Sequence, residues 1–121
     1  MISAGDANAA CDAFSANGRF VIQQNNGIKV FCTLVPNYTN AQTNFQTFSG
    51  NCNFGSTGGN VTGSITGRLF RMTAEWSLRS AGVYSGTINN DGWVEEGRTY
   101  DRNKPTSWAI WWFDGTALRC R

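Results

Sequence analysis

The feature that most constrains this chain is a succession of short segments in which apolar and polar residues alternate, separated by turns rich in glycine and asparagine. In the clearest segment the apolar residues occupy every second position, namely Phe70, Met72, Ala74 and Trp76, with Arg71, Thr73 and Glu75 between them. A period of two with one polar face is typical of a strand that packs on one side and meets water on the other. The chain is therefore predicted to be all-β.

Turn signals divide the chain into strands. Asn25-Asn26-Gly27 and Asn89-Asn90-Asp91-Gly92 are hairpin sequences because asparagine and glycine accept positive φ angles. The pattern predicts strand segments over residues 19–24, 28–35, 45–53, 61–66, 68–76, 82–88, 93–99, 106–113 and 116–120. Residues 36–44, 55–60 and 100–105 are expected to be loops or turns, and the last two segments are expected to pair across Asp114-Gly115.

Glycines inside the strand segments favour a barrel over a sandwich. The triplets Phe48-Ser49-Gly50, Val61-Thr62-Gly63 and Tyr84-Ser85-Gly86 each place a glycine beside a hydroxyl. Interior glycines allow the sharp bending and close approach that a closing sheet needs. We expect one antiparallel β-barrel of about eight short strands over residues 18–121, with a β-sandwich as the alternative. Residues 1–17 are expected to form an extended arm, or a short helix capped by Asp6 and ended by Gly18.

Four cysteines, Cys11, Cys32, Cys52 and Cys120, allow three pairings. We favour Cys32–Cys52, because the strands that carry them flank one loop, and this choice leaves Cys11–Cys120 to tie the chain ends together. Disulfides persist outside the reducing cytosol, so the expected location is secreted or periplasmic. Four free thiols in a cytosolic protein are the alternative.

Composition excludes several classes of function. The chain has no histidine, which rules out the common Ser-His-Asp and Cys-His sites and argues against the usual zinc sites. Ten basic against eight acidic residues leave a net charge of +2, too weak a field to predict a nucleic-acid partner. No apolar run reaches the roughly 20 residues of a membrane span. No cofactor and no metal are expected.

Part of the chain resembles a pattern found in small secreted proteins of unassigned role, in which W-S is followed by G-x-Y-x-G-T-I-x-x-D-G, T-x-D and P-x-S-x-A-x-W. The matching residues are Trp76, Gly82, Tyr84, Gly86, Asp91, Gly92, Thr99, Asp101 and the run from Pro105. The repeated strand-glycine-strand hairpins are also similar to the calycin group, which includes lipocalins and avidins. The resemblance implies a secreted barrel and brings no known activity. The lipocalin G-x-W signature is missing, since Gly18 is followed by Arg19 and Phe20, and no set of residues matches the avidin biotin site.

Two kinds of side chain could carry a function. A two-carboxylate hydrolase would draw on Glu75, Glu95, Glu96, Asp101 and Asp114. The aromatic residues are more informative, because Trp108 and Trp112 share one face of a strand while Trp111 takes the other with Ala109 and Phe113. A tryptophan exposed beside polar groups is a platform for a sugar ring or an apolar ligand.

The expected function is a non-catalytic, extracytoplasmic binding module for a small molecule or a glycan. The ligand would lie at the barrel mouth on Trp93, Trp108, Trp112 and Tyr100, oriented by Arg98 or Glu95. One alternative is a structural or partner-binding protein, such as an inhibitor, effector or assembly subunit, that uses the same aromatics as an interface, and an oligomer is compatible with either. The other alternative is a hydrolase that uses carboxylates without histidine.

Overall fold

The computed structural model describes residues 11–121, and every regular element in that range is a β-strand. The strands are β1 (Phe14–Ser15), β2 (Gly18–Gln24), β3 (Lys29–Asn40), β4 (Phe45–Phe54), β5 (Thr57–Thr66), β6 (Leu69–Ser77), β7 (Ser80–Ile88), β8 (Val94–Asp101), β9 (Lys104–Asp114) and β10 (Arg119–Cys120). Over these residues the structure contains no helix with the length and apolar character that crossing a membrane requires.

Strands β2 to β9 form a closed antiparallel barrel in chain order. Each strand pairs with the next along the chain, and β2 pairs with β9 to complete the circle, with Ile22 opposite Phe113 and Gln24 opposite Trp111. The predicted barrel is confirmed, and the sandwich is excluded because a sandwich keeps two separate sheets.

Inward-facing side chains fill the middle of the barrel. The predicted alternation in β6 is confirmed: Phe70 and Met72 are buried, whereas Arg71 between them is exposed. Trp111 is central to this core, since its ring centroid lies 5.5 Å from that of Phe70 and 5.2 Å from that of Phe113. Its indole N–H donates to the carbonyl oxygens of Ser85 and Arg98, both at 3.1 Å. The largest hydrophobic side chain of the core is thus anchored by hydrogen bonds as well as packing.

The strand glycines serve close approach, as expected. A Cβ atom on Gly63 would collide with the ring of Phe48 and with the backbone of β6, and one on Gly50 would collide with the carbonyl group of Thr33. Glycine at these two positions leaves the room that the Phe48 ring and the backbone of the neighbouring strands occupy.

Both predicted disulfides are present. Cys32 and Cys52 lie directly opposite each other in the β3–β4 register, with their Cα atoms 4.0 Å apart. Cys11 and Cys120 are joined across 109 residues of sequence. Closing a loop of that length stabilises the fold by about 5 kcal/mol in the chain-entropy model.

The N-terminal arm from Cys11 onward and the C-terminal tail cover one end of the barrel. Strand β1 pairs with β10, and Phe14, Ala16 and Leu118 are buried in the core cluster. The guanidinium of Arg68, in the β5–β6 turn, lies 5.5 Å from the ring centroid of Phe14 and donates to the carbonyl oxygen of Cys11. We call this covered end the capped end. It carries the β3–β4, β5–β6 and β7–β8 connections.

The short-helix alternative for the N-terminal arm is wrong over residues 11–17. Phe14–Ser15 is a strand, and Phe14 and Ala16 are both buried, which is the two-residue period of extended backbone. The backbone of this arm is used for pairing with the C-terminal tail. The expected helix cap at Asp6 lies outside the described residues.

The expected hairpin across Asp114-Gly115 is also wrong. Arg119 and Cys120 pair with the arm rather than with β9. Both edges of β9 are occupied, one by β8 and the other by β2, so the tail has no free edge to join. The Cys11–Cys120 bond draws the tail across the barrel end instead.

The connections are shorter than expected. Strand β3 continues to Asn40 through a bulge between Pro36 and Tyr38, so that most of the predicted loop 36–44 is strand. Strand β5 starts at Thr57, and β9 starts at Lys104, which leaves Arg102-Asn103 as the β8–β9 turn. Polar residues in these stretches face the solvent from a sheet rather than from a loop.

Gln46 fastens the arm to the barrel at the capped end. Its side chain is 1% exposed, and its Oε1 accepts a hydrogen bond from the N–H of Ala16 at 2.9 Å. Its Nε2 donates to Ser15 Oγ at 3.2 Å and to Thr39 Oγ1 at 3.0 Å. One buried amide therefore connects the arm to strands β3 and β4.

We expect Gln46→Leu to lower the free energy of unfolding by about 1–3 kcal/mol, because the buried N–H of Ala16 loses its acceptor. Gln42→Leu, the same change at an exposed position of the β3–β4 turn, should shift it by no more than about 0.5 kcal/mol. Urea denaturation followed by tryptophan fluorescence measures both. Equal effects of the two substitutions would contradict this role for Gln46.

Candidate functional site: the open barrel mouth

The end of the barrel opposite the capped end holds a cavity of about 440 Å³, which we call the mouth. The β2–β3, β4–β5, β6–β7 and β8–β9 connections surround it. Its volume falls within the range of roughly 300–1,000 Å³ that is usual for ligand sites. It is lined by Gln24, Asn25, Asn26, Ile28, Phe54, Trp76, Ser80, Gly82, Tyr84, Thr99, Tyr100, Asp101, Ser107, Trp108 and Ala109.

Buried neutral polar groups of the mouth meet across the barrel. Tyr84 on β7 donates its hydroxyl proton to Gln24 Oε1 on β2 at 3.0 Å, although two strands separate β7 from β2 around the barrel. Thr99 also hydrogen-bonds to the Tyr84 hydroxyl. All three side chains are more than nine-tenths buried. The Tyr84 ring packs edge-on against Trp111, so this layer lies directly on the hydrophobic core.

Burial governs the ionisation of this layer. Because a phenolate is poorly solvated there, burial raises the pKa of Tyr84 to about 12, against a smaller lowering by the Thr99 hydrogen bond. Tyr84 is therefore a neutral hydrogen-bond donor at every physiological pH.

Aromatic rings form part of the wall. Phe54 at the end of β4 and Trp76 on β6 are packed edge to face, with ring centroids 4.9 Å apart. Gly82 makes room for this indole, since a Cβ atom there would lie 3.0 Å from Trp76 Nε1 and 3.0 Å from the Tyr84 ring. Among the described residues Trp76 Nε1 has no hydrogen-bond acceptor, in contrast to the indole of Trp111. The wall thus offers apolar area together with one free donor.

Asp101 stands at the rim, and its carboxylate is already engaged. Its Oδ1 accepts the N–H of Asn103 at 2.8 Å, and its Oδ2 accepts the Ser80 hydroxyl at 2.9 Å. The backbone hydrogen bond from Asn103 is the main cause that lowers the pKa of Asp101, followed by the bond from Ser80. The group is anionic at neutral pH and is held in place as part of the β8–β9 turn.

Three of the five carboxylates considered for a hydrolase, those of Glu75, Asp101 and Asp114, are engaged by neighbouring groups. Glu75 receives two hydrogen bonds from Arg102, at 2.8 and 3.2 Å, and Asp114 forms an ion pair with Lys29 at 3.3 Å. The lowered pKa of Asp101 is the opposite of what a general acid needs. These acids hold neighbouring strands and turns together.

The six residues proposed from sequence as the ligand site are divided between the two ends. Tyr100 and Trp108 face each other across β8 and β9 and line the mouth. Arg98 is beside them, with its guanidinium 4.3 Å from the Trp108 ring centroid.

The other three lie away from the mouth. Trp93 and Glu95 are at the capped end. The backbone N–H of Trp93 donates to Asn89 Oδ1, and the backbone carbonyl of Trp93 accepts the N–H of Asn89. The side-chain amide of Asn89 donates to Glu95 Oε2. Trp112 lies on the outer wall beside Gln23 of β2. The structure therefore places Tyr100 and Trp108 at the cavity and separates them from Trp93 and Glu95.

The outer face of β9 is an exposed apolar stripe made of Trp108, Ile110 and Trp112. These side chains are 50%, 44% and 40% exposed, whereas Trp111 and Phe113 on the other face are buried. The predicted division of the tryptophans between the two faces is confirmed. We call this surface the β9 stripe.

Sequence reasoning missed Gln24, Phe54, Trp76 and Tyr84 as lining residues of the cavity. Trp76 was visible on the apolar side of the β6 alternation, and Tyr84 in a glycine triplet, and both belong to the secreted-protein pattern, but neither was assigned to a ligand site. Gln24 is the residue before the Asn25-Asn26-Gly27 turn. It occupies the same alternate positions as Phe20 and Ile22, and an amide on that apolar side was the available signal. Nothing local indicates that it meets Tyr84 across the barrel.

Comparison with protein-family models, with curated proteins and with solved structures found no match to this chain. Within residues 11–121, no cluster of histidine, cysteine, aspartate or glutamate side chains has the arrangement of a metal site.

The raised pKa of Tyr84 predicts a loss of stability at alkaline pH. Its stabilising contribution is complete below the unfolded-state value of about 10 and is lost as the pH rises through the folded-state value of about 12. We expect the stability difference between wild type and Tyr84→Phe to fall by up to about 2–3 kcal/mol over that window. Urea denaturation at a series of pH values measures this difference.

Tyr38→Phe is the matched control, because Tyr38 is 55% exposed. The fall in the stability difference over this pH window should be larger for Tyr84→Phe than for this control, because Tyr84 is buried and Tyr38 is not. Equal changes in the two variants would show that burial of the Tyr84 hydroxyl does not cause the effect.

Proposed function

We propose that this protein is a non-catalytic, extracytoplasmic binding module that holds a small molecule or a glycan at the barrel mouth. The observation that carries the proposal is the asymmetry of the barrel. One end is covered by the arm from Cys11 and by the C-terminal tail, and the other holds a cavity with aromatic walls and a layer of neutral polar groups. Concave, mostly pre-formed sites of this kind are typical of small-ligand binding.

The two disulfides support the proposed location. Both are formed, and the described residues contain no free cysteine. Bonds of this kind persist in secreted and periplasmic proteins, where no thiol reductant removes them.

The resemblance to small secreted barrel proteins also supports a site at the mouth. Seven of the residues that carry the resemblance line the cavity, namely Trp76, Gly82, Tyr84, Thr99, Asp101, Ser107 and Ala109. Asp91 and Gly92 lie in the β7–β8 turn at the capped end, so the pattern runs the length of the barrel and supplies much of the cavity lining. We propose that the calycin-like shape and this pattern together define the binding end.

Titration of the intrinsic tryptophan fluorescence against a panel of glycans and a panel of lipids tests the proposal. Trp76 and Trp108 line the cavity, so a ligand seated there should change the emission. A flat response to both panels would overturn the proposed function and favour the second candidate below.

For any ligand found, we expect Trp76→Phe to weaken binding about 3- to 10-fold, because the aromatic ring is kept while the free indole donor is lost. Trp93→Phe, the same change at the capped end, should leave the affinity unchanged. Isothermal titration calorimetry measures both without relying on fluorescence. Equal losses in the two variants would place the ligand elsewhere.

The β9 stripe favours a second candidate function, the binding of a protein partner through the outer wall. Exposed tryptophan is enriched at the centres of protein interfaces. Under this second candidate, sedimentation velocity of the native chain, alone or with its partner, would show a complex that Ile110→Arg abolishes and Trp93→Arg does not. A monomer with a ligand in the mouth would favour the first proposal.

A further inference from the structure

The mouth has a chemical character that narrows its ligand class, and this inference rests on the proposed function. We propose that the mouth selects uncharged ligands that carry hydroxyl groups on a ring, such as a neutral sugar residue at the end of a glycan, and rejects their acidic counterparts. Three properties of the cavity lead to this assignment: its charge, its polar groups and its aromatic surface.

The charge of the cavity disfavours anions. Asp101 is the one charged side chain among the described residues that line it, and no arginine or lysine lines it. Arg102 is next to Asp101 in sequence, but both arms of its guanidinium are bonded to Glu75. Arg98 lies over the ring of Trp108 and does not line the cavity. An anionic ligand would lose solvent without gaining a counter-charge and would meet the carboxylate of Asp101.

The same carboxylate is a poor anchor for a cation. Each of its oxygens already accepts a hydrogen bond, from Asn103 or from Ser80, and the group is solvated at the rim rather than enclosed in the cavity. A cation there would share the carboxylate oxygens with these two donors and would stay in contact with water, so it would gain little from the ion pair. The site therefore lacks an anchor for a cation, whereas an anion finds no counter-charge among the lining side chains and meets one carboxylate.

The polar groups match hydroxyls, which both donate and accept. Gln24 Oε1 accepts one hydrogen bond from Tyr84, and Gln24 Nε2 donates one to Asn26. One N–H and one oxygen lone pair of this amide therefore remain for a ligand. Trp76 adds its indole donor beside them. A purely apolar ligand would cover these groups without replacing their water, and that costs free energy. The neutral polar layer thus favours a hydroxylated ligand over a lipid chain.

The aromatic groups match the apolar face of a sugar ring. Trp76 and Phe54 stand in the wall, and Tyr100 and Trp108 stand at the rim. An indole combines a broad apolar face with a polar edge, which suits a ring whose faces carry C–H groups and whose edges carry hydroxyls. Aromatic faces and an amide at the base of one cavity are complementary to such a ring.

A glycan array that pairs neutral glycans with acidic counterparts, differing by a uronate or a sialic acid, tests the assignment on the native chain. Choline, titrated by fluorescence, is the cationic probe. We expect neutral glycans to be bound and the acidic counterpart of each to be about tenfold weaker or worse.

Charge variants separate the role of Asp101 from general surface charge. Asp101→Asn keeps an acceptor for Asn103 and should reduce the difference in affinity between the neutral glycans and their acidic counterparts. Glu96→Gln removes the same charge at the far end of β8 and should leave this difference unchanged. A reduced difference in both variants, or in neither, would overturn the proposed role of the rim carboxylate.

The outcomes distinguish this inference from the proposed function. Acidic glycans bound as tightly as neutral ones, or choline or a lipid bound in place of any neutral glycan, would overturn the ligand class while the binding module stands. No response to any glycan, lipid or choline would overturn both.

Discussion

The pairing of β2 with β9 is the constraint on which the rest of the structure depends. An open sheet of eight strands would leave two edges of unpaired N–H and C=O groups and would enclose nothing. Closure removes both edges and turns one face of every strand into a common interior. Trp111 is buried, and its indole N–H finds two carbonyl acceptors, because β9 is clamped between β8 and β2.

Closure alone would make the two ends of the barrel equivalent, and the termini make them different. The arm and the tail are tied by the Cys11–Cys120 bond and bury Phe14 and Leu118 against one end of the core. No described segment crosses the other end. The inward-facing side chains at that end of β4, β6, β7 and β8 therefore line a cavity instead of packing against a cover. The proposed binding chemistry is a consequence of this asymmetry, because the polar layer of Gln24, Tyr84 and Thr99 belongs at the boundary between core and solvent.

Much of the fold followed from local patterns, because alternation and turn chemistry act over a few residues. The strands were placed to within a few residues, the barrel was preferred for its interior glycines, and the pairing Cys32–Cys52 followed from strands flanking one loop. The errors concern contacts between distant segments. The sequence left the N-terminal arm either extended or helical, and pairing of Phe14–Ser15 with Arg119–Cys120 decided for extended backbone. The tail was expected on β9 because nothing in its own sequence reveals that both edges of β9 are taken.

By itself, the sequence determined the all-β class, the middle of each barrel strand, the apolar side of β6 and β9, and the absence of histidine chemistry. These are properties of neighbouring residues and of composition. Only the tertiary structure decided which aromatic residues share a site: Tyr100 and Trp108 line the mouth, whereas Trp93, close to Tyr100 in sequence, lies at the capped end. The physical reason is that one strand spans the barrel from end to end. Residues a few positions apart are thereby carried to opposite ends, while Gln24 and Tyr84, 60 positions apart, are joined by one hydrogen bond.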